Sequence, residues 1–146
     1  MSMVGSALAA VLAALASIHL YWAAGGVWPG TDQKSCARAV AGFRGIDRMP
    51  PPSAAVAVAF VLFVAAGLAL ALSGGPGSAL PASLLLLLGV GAAIVFLGRG
   101  IAGFTPAWRR LTPEMPFARN DVRWFSPLCL GIGAGFALLT IRGTFA

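Results

Sequence analysis

The side chains that could do chemistry fall into three short stretches of the chain. They are His19, Tyr21 and Trp22, then Arg44, Asp47 and Arg48, and then Arg119, Asp121 and Arg123. Histidine is the side chain best suited to acid–base work near neutral pH. Arginine binds phosphate and carboxylate through two parallel hydrogen bonds. These residue types therefore predict a site for an anionic head group, with His19 as the candidate catalytic residue.

His19 admits three interpretations: a general acid or base, a ligand for a metal or haem, or a hydrogen-bonding strut to a neighbouring helix. The chain has only one histidine, and a protein-only zinc site needs three or four ligands. Two-histidine haem ligation within one chain is impossible for the same reason. We predict no metal site, the sequence identifies no cofactor, and the strut is the simplest interpretation.

The two Arg–Asp–Arg groups also have two interpretations. Each carboxylate lies within a few residues of a basic one, which is typical of structural salt bridges. Alternatively, Arg44, Arg48, Arg119 and Arg123 line a pocket for a lipid head group, as basic pockets at membrane surfaces do. Cys36 and Cys129 are predicted to be free thiols, since no C-x-x-C motif is present.

The elements that must position these residues are membrane helices. Hydrophobic residues make up 59% of the 146 and charged residues 10%, whereas a soluble domain carries about 25% charge. Four apolar runs predict an all-α membrane protein, a single domain over 1–146, with transmembrane helices at about 3–24, 54–72, 80–98 and 126–142. The net charge is +6, but nucleic-acid-binding proteins place their basic residues on a soluble scaffold. Too little of this chain lies outside the apolar runs to form one.

Charge is confined to one side of this arrangement. The two longer loops, 25–53 and 99–126, share one face and contain nine of the ten Lys and Arg residues. The positive-inside rule predicts that these loops are cytoplasmic and that both termini are outside, in a multi-pass protein of the inner membrane. The lipid bilayer is its first expected partner.

Small residues predict how the helices associate. Gly131 and Gly135 form a G-x-x-x-G pattern in the fourth run, which lets two helix backbones approach closely. We expect this glycine pattern to pack against another helix of the same chain. The alternative is that it forms the interface of a homo-oligomer. Residues 31–43 are predicted to contain a short interfacial helix. The two Arg–Asp–Arg groups each precede an apolar run, which suggests two similar helical hairpins.

Two strings resemble the signatures of a family of small, uncharacterised bacterial four-helix membrane proteins. The first is His-Leu-Tyr-Trp, residues 19–22, at the end of the first run, and the second is Ser-Pro-Leu-Cys-Leu, residues 126–130, opening the fourth. The resemblance covers essentially the whole chain and implies the four-helix architecture. It carries no activity and no catalytic residue.

Three functions are therefore open. The first is a non-catalytic accessory subunit of a larger membrane complex, or a lipid- or small-molecule-binding protein. The second is a membrane-embedded enzyme acting on an amphiphilic anionic substrate, with His19 as acid or base. The third is an oligomeric channel or transporter, which the lack of polar residues in mid-helix disfavours.

Overall fold

The computed structural model describes residues 2–74 and 80–144 and is all-helical over those ranges. The elements in chain order are α1 (Met3–Ala23), α2 (Gln33–Val40), α3 (Pro52–Leu72), α4 (Ala82–Ala102), α5 (Pro106–Leu111), α6 (Phe117–Asn120), a π-helical turn (Asp121–Phe125) and α7 (Ser126–Thr144). The predicted uncharged turn at 75–79 lies outside the described residues.

Four helices are long and apolar enough to cross a membrane, as predicted, and the chain is a membrane protein. The fourth of them is continuous from Phe117 to Gly143, because α6, the π-helical turn and α7 run into one another. Helix α1 begins at the Ser2 cap, whose hydroxyl accepts the Gly5 backbone N–H. Helix α3 begins at Pro52, where a missing N–H costs nothing.

The four long helices form two pairs. Helix α1 packs mainly against α3, and we call these the first helix pair; α4 packs mainly against α7, and these are the second helix pair. Fewer contacts join the two pairs. Within the second pair, the fully buried Phe136 of α7 stacks on Phe96 of α4 at 5.9 Å between ring centroids. The long helices therefore pack as two hairpins, as the repeated Arg–Asp–Arg groups suggested.

Small residues make the contacts within the second pair close. A Cβ on Gly133 would lie 2.8 Å from the Leu97 nitrogen, and one on Gly100 would lie 2.6 Å from Leu130. Gly135 faces Leu8 of α1, whereas Gly131 faces open space. Gly135 of the predicted G-x-x-x-G pattern is thus used within the chain, which is the packing that short side chains favour in lipid.

Two helix ends differ from the sequence prediction. Helix α4 continues past Arg99 to Ala102 rather than ending at 98, because Asp121 neutralises that arginine inside the fold. The fourth membrane helix begins at Phe117 rather than at 126. Its π-helical turn has the Ser126 N–H bonded to the Asp121 carbonyl five residues back. This widening comes just before Pro127, which has no N–H for the usual bond.

Short elements cover the charged end of the bundle. The predicted interfacial helix is present as α2, which begins with a capping box between Asp32 and Ser35. The Asp32 carboxylate accepts the Ser35 hydroxyl at 2.6 Å and the Ser35 backbone N–H at 2.7 Å, and these hydrogen bonds hold the pKa of Asp32 below its ordinary value. Gly42 follows α2 at φ +66°, and its bare Cα allows the Phe117 ring to pack directly on it.

Candidate functional site

A buried carboxylate organises the charged end of the second helix pair. Asp121 is 2% exposed, and its Oδ1 lies 2.6 Å from an Arg99 guanidinium nitrogen. The Trp108 indole N–H donates to Oδ2 at 2.8 Å, and the Ser126 hydroxyl donates to Oδ1 at 3.2 Å. These four residues, Arg99, Trp108, Asp121 and Ser126, form what we call the Asp121 cluster.

The local sequence explains why these four side chains meet. Thr105 caps α5 by accepting the Trp108 backbone N–H, which aims the indole back at the bundle, and the Arg99 guanidinium lies 4.7 Å from the Trp108 ring centroid. Gly103 lies directly against the Ser126 hydroxyl, so that a side chain there would occupy the same space. The cluster therefore depends on a glycine at the end of α4.

Hydrogen bonds occupy both carboxylate oxygens of Asp121, which leaves little capacity for proton transfer or ligand binding. A buried charge with a cation and two further donors is the arrangement that desolvation demands. The structure thus turns Asp121, predicted from sequence as a head-group residue, toward the protein interior. Arg99 was not predicted for this role, because the sequence placed it at the start of a loop.

An open groove lies on the other side of the π-helical turn. It has a volume of about 570 Å³ and is lined by Phe104, Arg109, Met115, Ala118, Arg119, Val122 and Arg123, which we call the arginine groove. Two of its three cations, Arg119 and Arg123, were predicted, and Arg109 was not. No described carboxylate forms an ion pair with any of the three. The remaining walls are apolar.

The predicted residues of the first loop lie elsewhere. Arg44 donates from its guanidinium to the Arg110 carbonyl at 3.1 Å, which ties the two loops together. Asp47 and Arg48 pair loosely at 3.7 Å, and both are more than two-thirds exposed. Neither Arg44 nor Arg48 lines the arginine groove. The four predicted arginines therefore do not form one pocket.

A second tie between the loops uses Glu114. Its carboxylate pairs with Arg38 at 2.8 Å and accepts the Gly45 backbone N–H at 3.0 Å. The bond from Gly45, assisted by Arg38, holds the pKa of Glu114 below its ordinary value. Together with the Arg44–Arg110 bond, this contact ties the segment around α2 to α5 and to the loop before α6. These elements form one cap over the charged end of the bundle.

His19 lines a separate, smaller cavity of about 150 Å³ between α1, α2 and the start of α3. Its Nδ1 lies 2.8 Å from the Leu15 carbonyl oxygen, one turn earlier in the same helix. Its ring meets the Trp22 ring edge-on, with centroids 4.9 Å apart. His19 thus makes no hydrogen bond to another helix within the described chain, which removes the interhelical strut considered from sequence.

Tyr21 and Trp22 both bind the backbone of Trp28. The Trp22 indole N–H donates to the Trp28 carbonyl at 2.7 Å, and the Tyr21 hydroxyl accepts the Trp28 N–H at 3.3 Å. The Tyr21 ring also packs against Gly26. Both side chains therefore fold the first loop back over α1, and Trp22 in addition lines the cavity beside His19.

Metal ligands are not grouped in the described ranges, where no three His, Cys, Asp or Glu side chains come together. Cys36 and Cys129 are both free. Burial raises the pKa of the Cys36 thiol, and an inert buried thiol is the expected result. The cysteines thus behave as packing residues.

Comparisons with known proteins give one match. Searches of curated proteins and of solved structures found nothing that matches this chain. The family described as protein of unknown function DUF3995 matches residues 12–136. That range includes the His-Leu-Tyr-Trp and Ser-Pro-Leu-Cys-Leu strings, and it contains His19, the Asp121 cluster and the arginine groove. The predicted membership in an uncharacterised family is confirmed, and the chain belongs to the DUF3995 family of proteins of unknown function.

Proposed function

We propose that this protein is a non-catalytic binding protein of the inner membrane, which holds the head group of an anionic amphiphile in the arginine groove. The observation that carries the proposal is the set of three guanidinium groups without a described acidic partner. Such groups bind phosphate or carboxylate oxygens in bidentate geometry. The charged face is cytoplasmic in this proposal, following the positive-inside rule.

The groove has two chemically different parts, which suit a molecule with a charged head and an apolar tail. Arg109, Arg119 and Arg123 supply charge, while Phe104 and Val122 supply an apolar wall. Arg109 also donates to the Ala118 carbonyl at 3.3 Å, which restricts its position. Phe104 lies two residues after the end of α4, so a tail lying against it would continue along that helix into the bilayer.

The enzyme alternative requires His19 to act on a substrate held by the arginines. His19 and the three arginines line different cavities that share no residue. The channel alternative requires polar groups along a helix, and the long helices carry few in mid-span. We therefore favour binding over catalysis or transport, with Gly131 remaining open for contact with a second copy or another subunit.

The test is native mass spectrometry of the protein released from bilayers containing phosphatidylglycerol and phosphatidylcholine in equal amounts. Wild type is expected to retain the anionic lipid selectively. The double variant Arg119→Gln/Arg123→Gln removes two groove cations, and Arg48→Gln/Arg110→Gln removes two charges outside the groove. Loss of about 1.5–3 kcal/mol per charged hydrogen bond would cut retention at least tenfold in the groove variant alone.

Two results would overturn the proposal. Equal loss in both double variants would mean that total charge, and not the groove, attracts anionic lipid. No selectivity in wild type would mean that the groove does not hold a head group. Adding inorganic phosphate as competitor separates the two sources of the anion: displacement by phosphate alone at low millimolar concentration would point to a free anion rather than to a lipid.

A further inference from the structure

The cavity beside His19 is separate from the arginine groove and has no role in the function proposed above. Its walls come from α1, the end of α2 and the start of α3, and they are apolar apart from His19 and Trp22. The apolar wall residues are Val40, Ala41, Met49, Pro50, Ala54, Ala55 and Val58. No described Arg, Lys, Asp or Glu lines it. A charged ligand would therefore lose its hydration there without a counter-ion, which is strongly unfavourable.

His19 brings a polar ring to this apolar space, and one of its two ring nitrogens has no hydrogen bond among the described residues. The Leu15 carbonyl can only accept, so the contact at 2.8 Å assigns the ring proton of His19 to Nδ1. In the neutral ring, Nε2 then carries a lone pair. No described group donates a hydrogen bond to it. The cavity thus offers a single acceptor at the edge of an apolar chamber.

The size of the cavity limits what can fill it. A volume of about 150 Å³ matches that of an apolar protein cavity that holds one benzene molecule. The edge-on Trp22 and His19 rings form an aromatic corner, which suits a planar ring. A lone water molecule would find only one partner, whereas buried waters usually make about three hydrogen bonds.

We propose that this cavity is a second binding site, which takes the hydroxyl-bearing ring of an uncharged membrane-soluble molecule of the phenol or hydroquinone class. The ring hydroxyl donates to His19 Nε2, and the ring packs between Trp22 and the start of α3. Because Nε2 accepts and does not donate, the site prefers the hydroxyl form of such a ring to the corresponding carbonyl form. A benzoquinone has two acceptors and no donor.

The depth of the cavity fits a molecule that arrives from the bilayer. His19 lies four residues before the end of α1 at Ala23, and Ala54 lies two residues after the start of α3. At about 1.5 Å per residue both are within about 6 Å of the helix ends. A ring held there can carry an apolar chain into the hydrocarbon region.

The single histidine makes the test direct. Protein labelled with ¹⁵N-histidine, in detergent or nanodiscs, gives one pair of ring-nitrogen signals. Hydroquinone is expected to shift the Nε2 signal saturably, while 1,4-dimethoxybenzene, which has the same ring and no donor, leaves it unshifted. p-Benzoquinone is expected to bind about 2- to 10-fold more weakly than hydroquinone, as the loss of one hydrogen bond predicts.

Two variants keep the test decisive. Ala55→Phe fills the cavity from α3 and leaves His19 in place, so the hydroquinone shift is expected to disappear. His19→Phe keeps an aromatic ring and removes the acceptor, so ligand-observed NMR should report an affinity 2- to 10-fold lower. An unchanged shift in Ala55→Phe, or equal shifts with the dimethoxy compound, would overturn the proposal, as would the absence of any shift. Arg119→Gln/Arg123→Gln is expected to leave this binding intact, which separates it from the arginine groove.

Discussion

The two helix pairs have the same layout but differ in what surrounds the basic residue near the loop end. In each, a helix of 21 residues (α1 or α4) carries one basic side chain near its loop end, His19 in the first and Arg99 in the second. In each, a loop with short helices leads to the returning helix. The second pair surrounds its polar residue with Trp108, Asp121 and Ser126. The first pair leaves a cavity beside its own.

This difference distinguishes polar residues that stabilise the fold from polar residues that are available to bind a ligand. A buried carboxylate must find partners within the chain, here the half-buried Arg99, because an unpaired charge there costs several kcal/mol. The His19 ring is bonded at Nδ1 to a carbonyl of its own helix, and no second partner is present for its other nitrogen among the described residues. The cluster built around a buried carboxylate in the described residues is thus the structural one. His19 and the three groove arginines are among the described groups that keep spare hydrogen-bonding capacity.

The largest expected effect comes from breaking the ion pair between Arg99 and Asp121 in the second helix pair. Asp121→Asn keeps the shape of the side chain and leaves Arg99 without a counter-charge. We expect a loss of about 3 kcal/mol in the free energy of unfolding, the low end for a broken buried pair, because Arg99 is 30% exposed. A denaturant titration in mixed micelles, followed by circular dichroism, measures it.

Asp47→Asn is the matched control in the first pair. That carboxylate is 71% exposed, so its loss is expected to leave the unfolding midpoint unchanged. Equal destabilisation by both substitutions would mean that the two aspartates play the same role, and the contrast between the helix pairs would fail.

A smaller effect is expected from Gly103→Ala. The added methyl would occupy the position of the Ser126 hydroxyl and force the Asp121 cluster apart. Overpacking of this kind costs about 1–3 kcal/mol, and the same titration reports it. Gly98→Ala is the control on the same helix, since a Cβ there meets open space and alanine favours the helix. If Gly103→Ala left the free energy of unfolding unchanged, α4 and α7 would be able to move apart at this point without loss of stability.

His19→Phe is expected to change stability by less than about 1 kcal/mol, because it removes one hydrogen bond to a carbonyl of its own helix. The midpoint of unfolding measures the change. A loss as large as that of Asp121→Asn would mean that His19 supports the fold as Arg99 does, and the first pair would then be scaffold as well.

The smallest effect concerns the tie between the loops. The pKa of Glu114 is lowered by the Gly45 N–H bond and by Arg38, so the folded state holds this proton less tightly than the unfolded chain does. Its contribution to stability is therefore present above the ordinary value of 4.5 and is lost as pH falls through the lowered value.

Amide exchange at Gly45 reports this contact directly. Protection of that N–H, corrected for intrinsic exchange, is expected to fall on acidification below pH 4.5. In Glu114→Gln it should be lower at neutral pH and insensitive to acid in the same window. A pH response that persists in Glu114→Gln would assign the effect to another carboxylate, such as Asp32.

The sequence predicts the four spans well, because uninterrupted apolar runs leave no other way to satisfy the backbone in lipid. It does not predict which polar groups meet. Arg99 was assigned to a loop, since a charge normally ends a span, and only its pairing with Asp121 lets α4 continue. The π-helical turn inserts an extra residue before Pro127, which shifts the face on which Val122 and Arg123 lie.

His19 shows the same limit in a different way. Its residue type and position predicted a polar function near the charged face, and the structure places it at a cavity. The contact with Leu15, which decides the role of each ring nitrogen, depends on a side-chain rotamer and leaves no pattern in the sequence. Arg109 was missed for a related reason: it joins Arg119 and Arg123 only through the turn between α5 and α6.

The confinement of charge to one end also determines how the protein meets bilayers of different thickness. Helices of 21 residues span about 31 Å, close to the hydrocarbon core. We expect the charged cap to hold one end at the head-group level, while the far end carries only Arg142, which can extend to the surface. A thicker or thinner membrane would therefore be accommodated at the far end, leaving the depth of His19 and of the arginine groove constant from one membrane to another.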